Sequence, residues 1–242
     1  NSQDPRKTKI PEGPVKFGTY EVQEPFTTMR ISLVELVVIL IESDETMANH
    51  ITASVWRLLL KWCIQYAYNN TYQSLFYRLV FAVLRQNQEQ HQHRLFHEGN
   101  FLQFLMDSFL EIPFKLDSAG KVTQGEGTVY YNPPRDASQE LKSLFVVRCL
   151  VMNCSHAVRL QAGSQPPNSF ISHLLATSPK WNEFLPKLIS ATEEQHRFGM
   201  GIQVTDIKPQ HNVSSLMSLM SDSEPQCDNE GGLEHGSNFA KN

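Results

Sequence analysis

An apolar stripe that recurs once per helical turn between Tyr72 and Leu84 constrains the fold more than any other feature of this sequence. Its members are Tyr72, Leu75, Phe76, Leu79, Val80, Val83 and Leu84. Spacing of i, i+3, i+4 and i+7 marks one face of an α-helix, and the alternation of a β-strand does not fit it. A second set precedes it at the same spacing: Ile51, Val55, Leu58, Leu59, Trp62 and Tyr66. The sequence therefore predicts two helices joined by a short turn.

Helical pattern extends over most of the chain. The segment 29–43 is apolar on nearly every side, which predicts a central helix buried on most of its faces. A later helix is predicted with Asp136 as its capping residue. Ser178 followed by Pro179 predicts the start of the last helix, and Pro186 is expected to kink or restart that helix.

The order of segments predicts an all-α fold without convincing strands. We expect six to eight antiparallel helices arranged as helical repeats, an armadillo/HEAT-like α-α superhelix, over residues 28–198. Residues 1–27 contain four prolines and are expected to be an extended arm or linker. Residues 111–136 are rich in glycine and proline and are expected to form a long, mobile or partner-facing loop. Residues 199–242 are expected to be an acidic, disordered tail.

The net charge of −4 lies entirely in the C-terminal tail. Residues 1–202 carry 19 Lys/Arg and 19 Asp/Glu, whereas residues 203–242 carry six acidic residues against two lysines. Because no basic stripe is present, the sequence argues against a nucleic-acid binder. Within the tail, Ser221 and Ser223 stand among acidic residues and are candidate phosphorylation sites.

Hydropathy and cysteine usage favour a chain that is not inserted in a membrane. No apolar run is longer than Leu36–Ile41, which is too short to span a bilayer. The four cysteines form no CxxC pair, and no secretory signal is recognisable. We therefore expect a reducing compartment, the cytoplasm and also the nucleus.

Neither a metal centre nor a catalytic site is predicted. His91, His93 and His97 lie close together, and the last two have the spacing of helical metal ligands, but no cysteine or carboxylate is placed as a further ligand. A solvated helix end is expected there, with no metal and no other cofactor. Cys149 with His156 would form a nucleophilic pair only if the fold brought them together. The apolar run around Cys149 instead predicts an inert buried thiol. We expect no enzyme.

The turn between the two helices predicted around Ile51–Tyr66 and Tyr72–Leu84 contains an Asn pair. In the structural interpretation, Asn70 caps the helix that begins at Thr71, and Asn69 adopts the backbone geometry of the turn. In the functional interpretation, the two amides are exposed on a ridge and hydrogen-bond a partner. Local chemistry favours the structural interpretation.

Three short motifs follow one another in an order that resembles a known family. They are Thr28-Met29-Arg30-Ile31 after a proline-containing arm, Tyr66-Ala67-Tyr68-Asn69-Asn70, and Pro167-Asn168-Ser169 followed by Trp181-Asn182-Glu183-Phe184. Over residues 17–197 the chain resembles the C-terminal part of the SAPS domain, found in regulatory subunits of protein phosphatase 6. Tyr68 stands where the family usually has Trp, and Phe26-Thr27 replaces a Gly-Asn pair, so the chain resembles a divergent member.

This resemblance implies a non-catalytic armadillo-like scaffold. Such a subunit would bind a Ser/Thr protein phosphatase catalytic subunit and direct that enzyme to its substrates. Other scaffold or substrate proteins would be further partners. Contacts to a partner or between repeats are implied for Arg30, Tyr68, Asn69 and Asn70. Trp181 and Phe184 are expected to pack the last helix into the core.

Two other hypotheses remain open at this point. The first is an unrelated armadillo-type adaptor whose groove, lined with amides, binds an extended peptide. The second is a helical enzyme that uses a Cys–His or His-cluster site.

Overall fold

The computed structural model describes residues 14–16, 21–22, 24–199 and 202–203. Helices dominate these residues, and the few strands are short. The elements in chain order are β1 (Val15–Lys16), β2 (Glu21–Val22), α1 (Thr28–Ser43), a 3₁₀ turn (Glu45–His50), α2 (Ala53–Gln65), α3 (Asn70–Gln86), α4 (Glu89–His93), a π turn (Arg94–Glu98), α5 (Phe101–Asp107), β3 (Phe114–Leu116), β4 (Val122–Thr123), β5 (Thr128–Tyr130), α6 (Gln139–Ser164), α7 (Phe170–Thr177), α8 (Pro179–Arg197), β6 (Phe198–Gly199) and β7 (Ile202–Gln203).

Helix α3 lies at the centre of the fold. It packs on α1 at one side and on α6 at the other, so that α1, α3 and α6 form a row. Helices α2, α5 and α7 pack against α6, and α4 packs against α3 and α7. This packing confirms the predicted all-α fold. The armadillo/HEAT-like repeat geometry stays a prediction.

The hydrophobic core is built from the predicted helical stripes. All seven apolar residues of the stripe on α3 are buried. They join large side chains from the neighbouring helices, among them Trp56, Phe101 and Trp181. Trp181 and Phe184 are only 2% and 5% exposed, which confirms that they pack α8 into the core.

Helix α1 lies at one end of the row, and the prediction of a central helix buried on most faces was wrong. Val34, Val38 and Ile41 are buried on one side. The opposite side exposes five large apolar residues: Met29, Leu33, Leu36, Ile39 and Leu40. A helix that is apolar all round is normally internal, but the pattern cannot say which of its faces a neighbour covers.

The starts of the last long helices can be compared with their predicted positions. Helix α6 is capped by Ser138, whose Oγ accepts a hydrogen bond from the Leu141 N–H at 3.1 Å, and not by Asp136. Serine and aspartate cap equally well, so composition does not choose between them. Helix α8 begins at Pro179 after Ser178, as predicted. It continues through Pro186 without restarting.

Residues 111–136 contain a small antiparallel sheet in the order β4–β3–β5, where the sequence predicted an irregular loop. Lys115 pairs with Thr123 of β4 and with Val129 of β5. Phe114 and Leu116 are buried in a second, smaller apolar cluster at the start of α6. Each strand has only two or three residues, too few for a period of two to become visible in the sequence.

Helix α6 is long and apolar enough to be compared with a membrane-spanning helix. Within the described ranges it is the one helix that is long and apolar enough to cross a bilayer by length and composition. Its apolar segment is 56% buried inside the fold, and the core helix of a soluble protein passes the same test.

A second compact unit begins at His196. Its strands β6 and β7 pair antiparallel, Phe198 with Gln203 and Gly199 with Ile202. Most of the predicted acidic tail, including Ser221 and Ser223, lies outside the described residues, as does most of the predicted arm.

Candidate functional site

An aromatic cluster fastens the segment before α1 to α2 and α3. The ring of Phe26 lies 5.3 Å from Trp62, 4.8 Å from Tyr66 and 4.7 Å from Tyr72, measured between centroids. Phe26 is 9% exposed. Edge-to-face pairs of this kind add to the stabilisation from burial alone. The arm is therefore anchored immediately before α1 begins.

Arg30, predicted to contact a partner or another repeat, makes several contacts within the chain. Its Nη2 donates to Glu24 Oε1 at 2.9 Å, and its Nη1 donates to the Tyr66 hydroxyl. Its guanidinium carbon also lies 5.8 Å from the ring centroid of Trp62, within cation–π range. The hydrogen bond to Glu24 raises the pKa of Arg30. Burial raises the pKa of Tyr66, so its hydroxyl stays protonated at neutral pH. Arg30 thus ties the arm, α1 and α2 together.

Asn69, and not Asn70, caps α3. The Asn69 Oδ1 accepts a hydrogen bond from the Tyr72 N–H at 2.8 Å. Asn70 is the first residue of the helix, and its side chain is exposed. The predicted cap was wrong by one position, because two adjacent asparagines have the same capping chemistry. Tyr68 is half-buried beside them.

The Tyr68–Asn69–Asn70 turn lines an open cavity of about 720 Å³, here named the acidic groove. The other walls come from β2, from the arm around Phe26 and from the first two turns of α6. Among its described lining residues, the charged ones are three glutamates: Glu21, Glu24 and Glu140. Glu24 is paired with Arg30, and Glu21 lies 4.0 Å from Lys16. Of the three, only Glu140, whose side chain is exposed, forms no salt bridge with another of the described residues.

A second cavity of about 480 Å³, here named the basic groove, shares Tyr68 with the first. It is lined by residues 132–135 and by α6. The charged residues in its described lining are Arg135 and Lys142. The Lys142 Nζ donates to the Arg135 carbonyl at 2.6 Å, which places the Lys142 ammonium beside the backbone of residue 135. The two grooves therefore carry opposite charges on either side of Tyr68.

The predicted histidine cluster is only partly a solvated helix end. His93 and His97 are exposed, with ring centroids 4.9 Å apart. His91 is buried, and its Nε2 hydrogen-bonds Asn49 Oδ1 at 3.0 Å. Burial, with a contribution from nearby Arg94, lowers the pKa of His91. The described residues contain no group of three or more His, Cys, Asp or Glu side chains that could hold a metal ion.

The prediction that Cys149 is buried was wrong, because its thiol is exposed on α6. Among the described cysteines, Cys63 and Cys154 are the buried ones, and burial raises the pKa of both thiols. His156 follows Cys149 by two helical turns, roughly 10 Å along the axis, so the two side chains do not form a hydrogen-bonded pair. The His156 Nε2 instead lies 2.6 Å from the Thr192 hydroxyl on α8.

The sequence did not indicate Phe26, Glu140, Arg135 or Lys142 as site residues. Phe26 lies in an arm without apolar periodicity, and the three charged residues are distributed around a proline-rich segment and a helix start. Along residues 132–142 acidic and basic residues are interspersed, and the two grooves separate them only in three dimensions.

A scan against protein-family models found no match to this chain, and neither did searches of curated proteins and of solved structures.

Proposed function

We propose that this chain is a non-catalytic docking subunit that binds a Ser/Thr protein phosphatase catalytic subunit of the protein phosphatase 6 type and directs it to substrates. The observation that carries the docking role is the uncovered apolar face of α1. Contiguous apolar surface of this kind on a soluble protein is typical of an interaction site.

The spacing of the α1 face suits another helix. Met29, Leu33, Leu36 and Leu40 follow one another at intervals of four, three and four residues and are 83%, 57%, 52% and 44% exposed. This interval pattern forms a seam in helix–helix packing. Charged side chains are absent from the seam itself. Its nearest glutamates, Glu35 and Glu42, lie on the flank turned towards Arg78 of α3.

The choice of partner rests on the three motifs that resemble the SAPS-domain family. The first contains Met29 and Arg30, so it supplies the start of the α1 face. It touches the second motif through the Arg30–Tyr66 hydrogen bond. The third supplies structural positions of the last helices: Ser169 caps α7, and Trp181 and Phe184 are buried. Two of the three motifs therefore meet at the first turn of α1.

Binding of a purified protein phosphatase 6-type catalytic subunit to the full chain tests the proposal. We expect measurable binding by biolayer interferometry, with the chain folded and soluble throughout. The double variant Leu33→Ser, Leu36→Ser should weaken it at least tenfold, because each leucine buried at an interface contributes about 1.5 to 3 kcal/mol and tenfold in affinity corresponds to about 1.4 kcal/mol.

The matched control is Leu160→Ser, since Leu160 is 65% exposed near the far end of α6. It should leave binding unchanged. Circular dichroism should give the same helical content for all variants. No binding by the wild-type chain, or equal loss in the control, would refute the proposal.

A further inference from the structure

We propose that the acidic and basic grooves together bind one extended peptide segment of a partner protein, with a basic stretch in the first groove, an acidic stretch in the second and an apolar residue against Tyr68. This inference deepens the proposed function, because it assigns a second contact to a protein-binding chain. It rests on that docking role and not on the identity of the phosphatase.

The first argument is the segregation of charge. The glutamates of the acidic groove and the cations of the basic groove do not mix in the described linings of the two cavities. Glu140 and Lys142 are only two residues apart on α6, yet each faces its own groove. A segment with a uniform charge would be attracted to one groove and repelled by the other. Charge complementarity therefore selects a segment that carries both signs at separate ends.

The second argument is the shape of the surface between the grooves. Tyr68 lines both cavities, so they adjoin at one half-buried ring. Tyrosine offers a large apolar surface with a polar tip and is frequent at binding hot spots. Val146 and Phe145 add apolar surface on the basic side. An extended chain, at about 3.3 Å per residue, can place separate stretches of its sequence in two adjoining grooves.

The third argument is the rigidity of the walls. The arm that forms one wall of the acidic groove is anchored by Phe26 and by Arg30. The Asn69 side chain fixes the turn between α2 and α3, and Ser138 fixes the start of α6. A preformed groove lowers the entropic cost of binding a flexible segment.

The test uses a fluorescein-labelled synthetic peptide of about twelve residues, with lysines at one end, a Leu-Pro centre and glutamates at the other end. Its controls are a peptide of the same composition with alternating charges, and a glutamate-only peptide of the same length. Fluorescence anisotropy with the full chain measures each dissociation constant at low and high salt.

We expect the bipolar peptide to bind at least tenfold more tightly than the alternating one, and its affinity to fall as salt is raised. Glu140→Lys and Lys142→Glu should each weaken the bipolar peptide at least threefold. Glu140→Lys should at the same time strengthen binding of the glutamate-only peptide, because Glu21 and Glu24 are paired with Lys16 and Arg30 and the new lysine then adds a cation to the first groove.

Matched charge reversals away from the grooves serve as controls. Glu89→Lys changes an exposed first-turn glutamate of α4, and Arg159→Glu changes an exposed cation at the other end of α6. If these controls weaken the bipolar peptide as much as the groove variants do, or if the alternating peptide binds equally well, the inference is wrong. Peptide binding without phosphatase binding would overturn only the proposed partner, and the converse result would overturn only the peptide site.

Discussion

Phe26 provides the sharpest test of how the site is held together. Its side chain is 9% exposed and touches three aromatic rings from α2 and α3 within 5.3 Å between centroids. Truncation of a buried Phe to Ala in a core costs about 3 to 5 kcal/mol. Because Phe26 lies in an arm that can move into the vacated space, we expect Phe26→Ala to lower the free energy of unfolding by about 3 kcal/mol, the lower end of that range. Part of this loss is the ring–ring contribution, about 0.5 to 1.5 kcal/mol for a pair.

Urea denaturation followed by tryptophan fluorescence measures this loss, since Trp62 stands edge-on to Phe26. The matched control is Phe81→Ala on α3, where the same truncation removes a side chain that is 46% exposed. We expect the control to cost less than about 1 kcal/mol. A loss of less than about 1 kcal/mol in Phe26→Ala, or equal losses in the two variants, would show that the aromatic cluster does not anchor the arm.

Three further predictions concern the turn, the buried histidine and the thiols. Asn69→Ala should lower the free energy of unfolding by about 1 kcal/mol through loss of the α3 cap. Asn70→Ala should change it by less than about 0.5 kcal/mol. Equal effects of the two variants in urea titrations would contradict the assignment of Asn69 as the cap. The lowered pKa of His91 means that the unfolded chain takes up a proton first as the pH falls below about 6.5, so stability should decline from there down to the lower folded pKa. Urea titrations at several pH values should therefore show that His91→Gln loses less stability than the wild type between about pH 7.5 and 5.5. Equal losses in the two proteins would contradict the lowered pKa of His91. Cys149 should react with a maleimide in the native protein while Cys63 reacts only in denaturant, as mapped by peptide mass spectrometry, and native labelling of Cys63 would disprove its burial.

The fold class followed from the sequence because a helical stripe is a local property. Tyr72 to Leu84 repeats its apolar residues once per turn, and every member of the stripe is buried. The outer face of α1 was not predictable in the same way. An apolar residue such as Leu36 has the same local pattern whether a neighbouring helix covers it or solvent does, and only the position of α1 at the end of the row decides between the two.

The candidate site was predictable in part. The Tyr68–Asn70 turn was recognised as a joint between helices, and it does line the acidic groove. Its partner residues come from distant parts of the chain: Glu24 and Phe26 precede α1, whereas Glu140 opens α6. Such a site depends on long-range contacts that no spacing in the sequence reports. The same reason applies to Arg30, which was expected to contact a partner or another repeat and whose bonds within the chain go to Glu24 and Tyr66.

The Phe26 anchor couples two equilibria. Since the anchored arm is one wall of the acidic groove, a ligand held there must favour the docked arm over the released one. Thermodynamic reciprocity then requires that docking of the arm strengthens ligand binding by the same factor by which the ligand favours the docked arm, so release of the arm weakens the ligand by that factor. A modification, a neighbouring domain or a mild rise in temperature that acts on residues before α1 could thereby regulate occupancy of the groove without touching it.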